Sequence, residues 1–509
     1  LKDNETTKPE DLSGSMDMLR IATGAGINFV GTILKAIVGF AFTLLLSRVL
    51  SVSDLGLYTM GVTISSIAVI VCILGLDVGL WRYVSRYNAK RDQARLRGAF
   101  VGSLIVAVPI SLCVSVAMAI FAVQISNAFF ESNEFVTPLR AFAVTVPLLV
   151  VARLFIASTQ GLQVMRYAAI RDIVEQVLRF LFTVALFVLG FRMGGALVAN
   201  IAAVLVITIM SFYFLEKLYP MFSGKQNTIR QIRKLVKFST PMGASQVLTY
   251  LIIWIDTIFL GIFYTSNEVG LYSVAMRVIV LASIVQTSFS TMFAPVISDL
   301  YVRDQHFQLQ QLFKKVTRWT VLLSLPFLMP IIIFSSSVLK VFGDQFTVAA
   351  TSLAILSLGQ FANNLTGPVS VMIAMTGRSK LEFANSLAIA LISLVLCLIF
   401  IPRWGMAGAA LVNATAVTSG NIIRTIEVYI LIHVQPYSLR YLKLLFAAAV
   451  AGGISYLGFT ILPLGSGLLS LAVWSTVLIA IYCGTMFAMG LDEDDSEVFG
   501  LLRERFSRA

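Results

Sequence analysis

The sequence predicts an all-α polytopic membrane protein of about fourteen transmembrane helices: two parallel-repeat six-helix lobes plus two further C-terminal helices. Three observations predict it. Of 509 residues, 58% are hydrophobic and 13% charged, and the mean hydropathy is +0.88, far outside the range of soluble domains. Apolar stretches of the roughly 20 residues needed to cross a bilayer recur along nearly the whole chain. Finally, the chain matches itself. Ser51-Val52-Ser53-Asp54-Leu55-Gly56-Leu57-Tyr58 returns as Thr265-Ser266-Asn267-Glu268-Val269-Gly270-Leu271-Tyr272, 214 positions later, and Gly194-Gly195-Ala196-Leu197-Val198 returns at the same offset as Gly408-Ala409-Ala410-Leu411-Val412. A self-match at one fixed distance marks a repeated structural unit. Two copies of a long hydrophobic unit are a transporter blueprint, with the path between the copies.

Hydropathy places the spans at about 26–48, 57–79, 98–125, 138–160, 172–191, 194–215, 239–263, 272–296, 319–337, 350–375, 383–401, 406–431, 443–462 and 467–490. The polar N-terminal tail through Arg20 leads into a first span longer than a signal-peptide core, so no cleavable signal is expected. Loop charge orients the spans. Arg82, Arg86, Lys90, Arg91, Arg95 and Arg97 follow the second span. Lys217, Lys225, Arg230, Arg233, Lys234 and Lys237 follow the sixth, and Arg303, Lys314, Lys315 and Arg318 the eighth. Loops on the other side hold isolated cations such as Arg140, Lys340 and Arg403. The positive-inside rule then places both termini in the cytosol, in a plasma-membrane protein.

Because each repeat holds six spans, an even number, both copies enter the membrane in the same direction and are expected to be related by an axis along the membrane normal. The expected organisation is a cytosolic tail (1–22), an N-lobe of spans 1–6 (23–215), a basic cytosolic linker (216–237) and a C-lobe of spans 7–12 (238–432). Spans 13–14 (443–490) and an acidic, amphipathic cytosolic tail (491–509) complete it. Gly452, Gly453 and Gly458 allow close helix packing in the final pair.

Several functional classes are excluded. The net charge of +12 suggests nucleic acid at first sight, but the cations sit in alternate loops, where topology accounts for them. Cys72, Cys113, Cys397 and Cys483 fall inside spans without paired spacing and read as small apolar residues. His306 and His433, the two histidines, lie near loops and supply neither a metal cluster nor an acid–base pair. No P-loop or nucleophile motif is present. The expectation is a transporter and not an enzyme, with no cofactor, no metal and no ATPase of its own.

Three features in order carry a family resemblance. The first is the span–[Ser/Thr]-x-x-[Asp/Glu]-x-Gly-Leu-Tyr–span unit in both halves. The second is Gly75-Leu76-Asp77 running into Trp81-Arg82-Tyr83, and the third is Trp404-Gly405-Met406-Ala407-Gly408-Ala409-Ala410 before the twelfth span. The chain resembles the multidrug/oligosaccharidyl-lipid/polysaccharide (MOP) flippase superfamily, and within it the Wzx-like polysaccharide or O-antigen flippases. Each motif alone is a loose glycine-turn pattern; the ordered set, the span count and the repeat together are more specific. The resemblance implies two six-helix lobes around a central cavity, alternating access, and a polyprenyl-(pyro)phosphate-linked glycan as cargo.

Ionisable groups inside spans are the most pointed chemical signal. Each costs roughly 2.5–3.5 kcal/mol at mid-bilayer on insertion scales, so it faces a partner or a wet cavity. Lys35 lies mid-span, sharing a helical face with Asn28 and Thr32. It is a candidate cavity cation for a lipid-linked phosphate; the bland reading is an interhelical ion pair or snorkelling. Arg153, near the inner end of span 4, is a candidate phosphate-capture group or a snorkelling cation. Asp256 in span 7 and Arg277 in span 8 lie at similar depths. They form either a structural ion pair or a site where Asp256 takes a coupling proton or sodium ion and Arg277 meets substrate. Arg171, Glu175 and Arg179 at i, i+4, i+8 read first as a stabilising charge ladder, and as a gate second. Arg424 and Glu427 read the same way. Gln360, Asn363, Asn364 and Thr366 precede Gly367-Pro368, which suggests a kinked helix lining water or cargo, or a packing kink. Tyr250, Trp254, Tyr264, Tyr272 and Trp404 suit sugar stacking or, more simply, an interfacial aromatic belt.

The function expected is export of lipid-linked oligosaccharide for cell-surface polysaccharide. Membrane lipids and the glycan lipid are its partners, and a glycan polymerase or glycosyltransferases its candidate neighbours. A lipid II flippase and an ion-coupled multidrug or small-molecule exporter are the rival transporters. The extra pair of spans speaks against the multidrug branch. A membrane glycosyltransferase or ligase needs a large outer loop with carboxylates or histidine, and the outer loops here are short.

Overall fold

The computed structural model describes residues 31–130, 133–220, 228–437, 441–462 and 468–490. Asn28, both expected tails and residues 221–227 of the expected linker lie outside the described residues. Every regular element among the described residues is helical.

The repeated motif decomposes into three physical devices. Its first is a pair of helix starts. Helix α1 (Gly31–Val49) ends just before α2 (Val52–Ile73), where Ser51 Oγ accepts the Asp54 backbone N–H at 3.1 Å. At the second copy, α10 (Ser266–Ala282) starts with a full capping box: Glu268 Oε2 accepts the Thr265 backbone N–H at 3.2 Å, and the two side chains bond each other. These bonds satisfy donors that a helix start leaves open.

The glycines are the second device. A Cβ on Gly56 would overlap the Ser266 carbonyl oxygen and lie 2.9 Å from the Gly270 nitrogen, and a Cβ on Gly270 would overlap the Val52 carbonyl oxygen. Val52 and Ser266 are themselves related by the 214-residue offset. The contact is therefore reciprocal, each copy's glycine resting on the other's first helical carbonyl. Ser53 Oγ and Ser266 Oγ share a hydrogen bond of 2.6 Å across it. Only glycine permits backbones this close. The third device is the buried Leu-Tyr step: Leu57, Tyr58, Leu271 and Tyr272 are at most 5% exposed. Tyr272 is thus a core residue and not part of an interfacial belt.

The helices pack into two compact units. Unit 1 runs through Leu50 and from Leu57 to Leu251; unit 2 comprises Ser51–Gly56 and the chain from Ile252. The division falls inside α9 (Ile232–Phe263). In unit 1, α6 (Val136–Gly161) touches α3 (Leu76–Ala89), α4 (Gln93–Ile120), α7 (Arg166–Val188) and α8 (Met193–Leu218). The short α5 (Ala122–Phe130) follows α4. The first part of α9 lies on α3, where the Arg82 guanidinium sits 4.2 Å from the Phe238 ring centre and the Tyr87 hydroxyl donates to Gln231.

In unit 2, α10 and α11 (Ile284–Val302) follow one another across a 43° bend and together are long and apolar enough to cross a membrane. Helix α12 (His306–Ile333) leads through a short α13 (Ser335–Lys340) and a 3-10 turn into α14 (Ala350–Thr366). Gly367, at φ 64°, stops α14, and α15 (Val369–Met375) restarts after Pro368, as the Gly-Pro step predicts. Helix α16 (Ser379–Ile432) is interrupted at Gly405. Bonds from Arg424 to Glu382, Asn385 to Glu427 and Arg378 to the Leu431 carbonyl show its two halves running antiparallel. Helices α17 (Tyr441–Ile461) and α18 (Leu468–Ala488) dock on α12 through Val321, Leu325, Met329, Leu444, Trp474 and Leu478.

Eleven described helices are long and apolar enough to cross a membrane, or twelve with the bent α10–α11 pair. A total of fourteen needs α16 read as two spans and the charged α7 as one. Large apolar side chains such as Val188, Ile209 and Phe446 point outward and are more than half exposed, the surface a lipid solvent requires.

Candidate functional site

A cavity of about 310 Å3 lies within unit 1, lined from six helices. Lys35 comes from α1, Ser65 from α2, Thr145 and Arg153 from α6, Arg171, Asp172, Glu175 and Arg179 from α7, Asn200 from α8 and Tyr250 from α9. Four cations face two carboxylates. Lys35 Nζ lies 3.1 Å from Asp172 Oδ2, and Arg171 bridges Asp172 at 3.0 Å and Glu175 at 3.2 Å. Arg179 holds Glu175 from the other side at 2.7 Å. Arg153 donates to the Tyr250 hydroxyl at 3.4 Å, a long bond to a neutral acceptor that leaves its charge uncompensated by that partner. The lining therefore carries a surplus of positive charge in a site whose walls are helices of low dielectric. There an anion gains more from each cation than it would in water.

The ladder on α7 is present as its spacing predicts, but it is also the cavity wall. The i, i+4, i+8 pattern places these residues on one face without giving the direction of that face. In the sequence Asp172 is only one more charge beside Arg171. Its role depends on α1, which brings Lys35 to it.

Unit 2 holds the remaining candidates in different settings. Asp256 is 1% exposed. Its Oδ1 accepts the Thr257 backbone N–H at 2.7 Å, and its Oδ2 accepts the Tyr272 hydroxyl at 2.7 Å and Asn413 Nδ2 at 3.1 Å. These neutral donors tie α9, α10 and the second half of α16 together. Arg277 lies part-buried on α10.

Asn363 and Asn364 belong to an amide network beside the α14 break. Gln286 Nε2 donates to the Asn363 side chain at 3.0 Å and reaches the Asn363 and Gly367 carbonyls. Asn421 also donates to Asn363, at 2.6 Å, and Gln360 joins Gln286 to Asn364. The network supplies donors to carbonyls that the helix break releases, the use a buried amide serves best. Arg424 differs from its expected pairing with Glu427: it forks onto Glu382 at 2.7 and 3.0 Å. The antiparallel fold of α16 brings Glu382 opposite Arg424, a contact that no local spacing reveals.

The comparisons with known proteins agree with this architecture. The family model for polysaccharide biosynthesis proteins matches residues 21–301, more than half of the chain. The chain belongs to that family. The MatE family model matches residues 241–399. Stage V sporulation protein B of Bacillus subtilis is 21% identical over 487 residues, 90% of this chain and 93% of that protein. The probable low-salt glycan biosynthesis flippase Agl15 of Haloferax volcanii is 23% identical over 202 residues, 40% of this chain. That match spans 43% of Agl15, less than half of its length. Among solved structures, an inward closed conformation of the lipid II flippase MurJ superposes with a TM-score of 0.74 at 14% identity, covering 91% of this chain and 98% of MurJ. An inward-facing MATE-family multidrug transporter of the MOP superfamily gives 0.66 at 15% identity, covering 78% and 94%. The family member described here thus has the fold of the MOP-superfamily transporters and is a multi-pass membrane protein.

Proposed function

We propose that the protein is a flippase that moves polyprenyl-(pyro)phosphate-linked oligosaccharide across the cytoplasmic membrane for cell-surface polysaccharide synthesis. One observation carries the reading: four cations and two carboxylates line a cavity between spanning helices in unit 1. Intramembrane cations in excess are costly and mark an anion path. In this reading Lys35 and Arg153 receive the (pyro)phosphate, with Arg171 and Arg179 behind them. Tyr250 and Asn200 offer an aromatic face and an amide for the first sugars. The prenyl chain stays in lipid. The residues predicted as two repeat lobes, 23–215 and 238–432, alternate access, and both termini stay in the cytosol. An inside-negative potential favours outward movement of an anion by about 2.3 kcal/mol per charge per 100 mV. Asp256 is the candidate for proton or sodium coupling and Arg277 a second phosphate contact; Asn363 and Asn364 are candidate cargo contacts in unit 2.

The test is reconstitution in proteoliposomes with a fluorescent lipid-linked oligosaccharide. Lys35→Ala and Arg153→Ala slow flipping at least tenfold, a loss of about 1.4 kcal/mol or more in binding or passage. Wild-type rates in both variants refute the site. Lipid II offered in the same vesicles separates the cargo classes.

A further inference from the structure

The ion pairs of the cavity form one alternating chain: Lys35, Asp172, Arg171, Glu175, Arg179. Its two ends differ. Arg171, Glu175 and Arg179 share one helix and are 13–15% exposed in their side chains. Lys35 belongs to a different helix, and Lys35 and Asp172 are 46% and 41% exposed. An exposed pair is held weakly, whereas stripping the partner from a buried charge is strongly unfavourable. An anion arriving in the cavity therefore opens the chain at Lys35–Asp172 and leaves the ladder intact.

We infer that Asp172 is a competing counter-ion: it neutralises Lys35 in the empty cavity and yields it to the anionic linkage of the cargo. This rests on the reading of the cavity as a site for a lipid-linked (pyro)phosphate. Two details make the exchange feasible. Asp172 uses different oxygens for its two cations, Oδ2 for Lys35 and Oδ1 for Arg171, so it keeps a partner after Lys35 leaves. Lys35 has a flexible stem and three N–H donors that re-aim without the fork geometry an arginine needs. The consequence is selectivity. A neutral glycan has nothing to exchange for the Asp172 carboxylate, so the pair stays closed; a phosphate or pyrophosphate brings its own charge and replaces it. Asp172 is thus a specificity-determining residue that sets how strongly an anion must bind before it occupies the site.

The experiment is isothermal titration of the full chain in detergent with inorganic pyrophosphate. Asp172→Asn frees Lys35 and tightens the Kd about three- to fivefold, the strength of one exposed pair. Asp172→Ser, which also drops the charge, reproduces the tightening, and Asp172→Glu keeps the wild-type Kd. In a Lys35→Ala background the gain from Asp172→Asn vanishes. Weaker or unchanged binding by both Asp172→Asn and Asp172→Ser overturns the inference. So does a gain that persists undiminished without Lys35, because that is general charge removal and not competition for Lys35. Pyrophosphate binding to none of the proteins refutes the anion site itself.

Discussion

Replacing Gly56 by alanine tests the reciprocal contact between the two motif copies. The new Cβ would overlap the Ser266 carbonyl oxygen and sit 2.7 Å from the Ser266 carbonyl carbon and 2.9 Å from the Gly270 nitrogen. A carbon rests about 3.3 Å or more from a carbonyl oxygen, and the new Cβ would lie at about half that distance from the Ser266 oxygen, so α2 and α10 must part by about 1.5 Å. All the obstructing atoms are helix backbone, which no side-chain rotation can clear. Overpacking of this kind costs roughly 1–3 kcal/mol. The Ser53–Ser266 hydrogen bond, 2.6 Å long, adds nothing to the difference read in the assay below, because both serines are replaced there. Overpacking alone thus sets about 1–3 kcal/mol against the clasped arrangement, or roughly 5- to 140-fold in its population at 1.4 kcal/mol per factor of ten. The assay is disulfide formation between Ser53→Cys and Ser266→Cys in membranes, after replacing the exposed Cys113 and Cys483. With Gly56 present, the pair oxidises readily; with Gly56→Ala, the rate falls at least fivefold. Gly270→Ala gives the same loss, because its Cβ meets the symmetry-related Val52 carbonyl. Equal oxidation rates with and without the alanine rule out the clasp, and a large effect at one glycine alone rules out its reciprocity.

Two further substitutions probe unit 2. Asp256→Ala removes the acceptor of the buried Tyr272 hydroxyl and of Asn413. It destabilises the protein by about 1–3 kcal/mol for each donor left buried and unpaired, read as a lower midpoint in thermal unfolding; Asp256→Asn, which keeps one acceptor oxygen, costs less. Gln360→Leu disconnects Gln286 from Asn364 and lowers the midpoint by a similar amount, while pyrophosphate binding in unit 1 stays unchanged.

The fold is legible in the sequence because its signals are local or periodic. The Ser/Thr-x-x-Asp/Glu tetrads start helices where they stand, and Gly367-Pro368 breaks a helix where it stands. The offset between repeats makes Gly56 equivalent to Gly270 and Val52 to Ser266, but it does not show that the two copies meet each other. Contacts made by three-dimensional folding are not legible. Pro109, Pro147 and Pro241 lie inside unbroken helices, whereas the α10–α11 bend falls at Ser283, which carries no breaker residue. In the cavity, Lys35 and Arg153 stand out because a lone cation in an apolar span is conspicuous. Arg171 and Arg179 are hidden because a charge ladder satisfies itself on its own helix. Only the approach of α1 shows that the ladder has an open end.

If the cavity of unit 1 carries the anionic linkage of a lipid-bound glycan, the charge of that linkage governs transport. The decisive measurement compares, in one set of proteoliposomes, flipping of a fluorescent oligosaccharide on a prenyl diphosphate with the same oligosaccharide on a matched neutral prenyl glycoside. The wild-type protein is expected to flip the diphosphate at least tenfold faster, and Lys35→Ala with Arg153→Ala to remove this preference. Equal rates for the two lipids, or a preference that survives the loss of both cations, contradict the anion path.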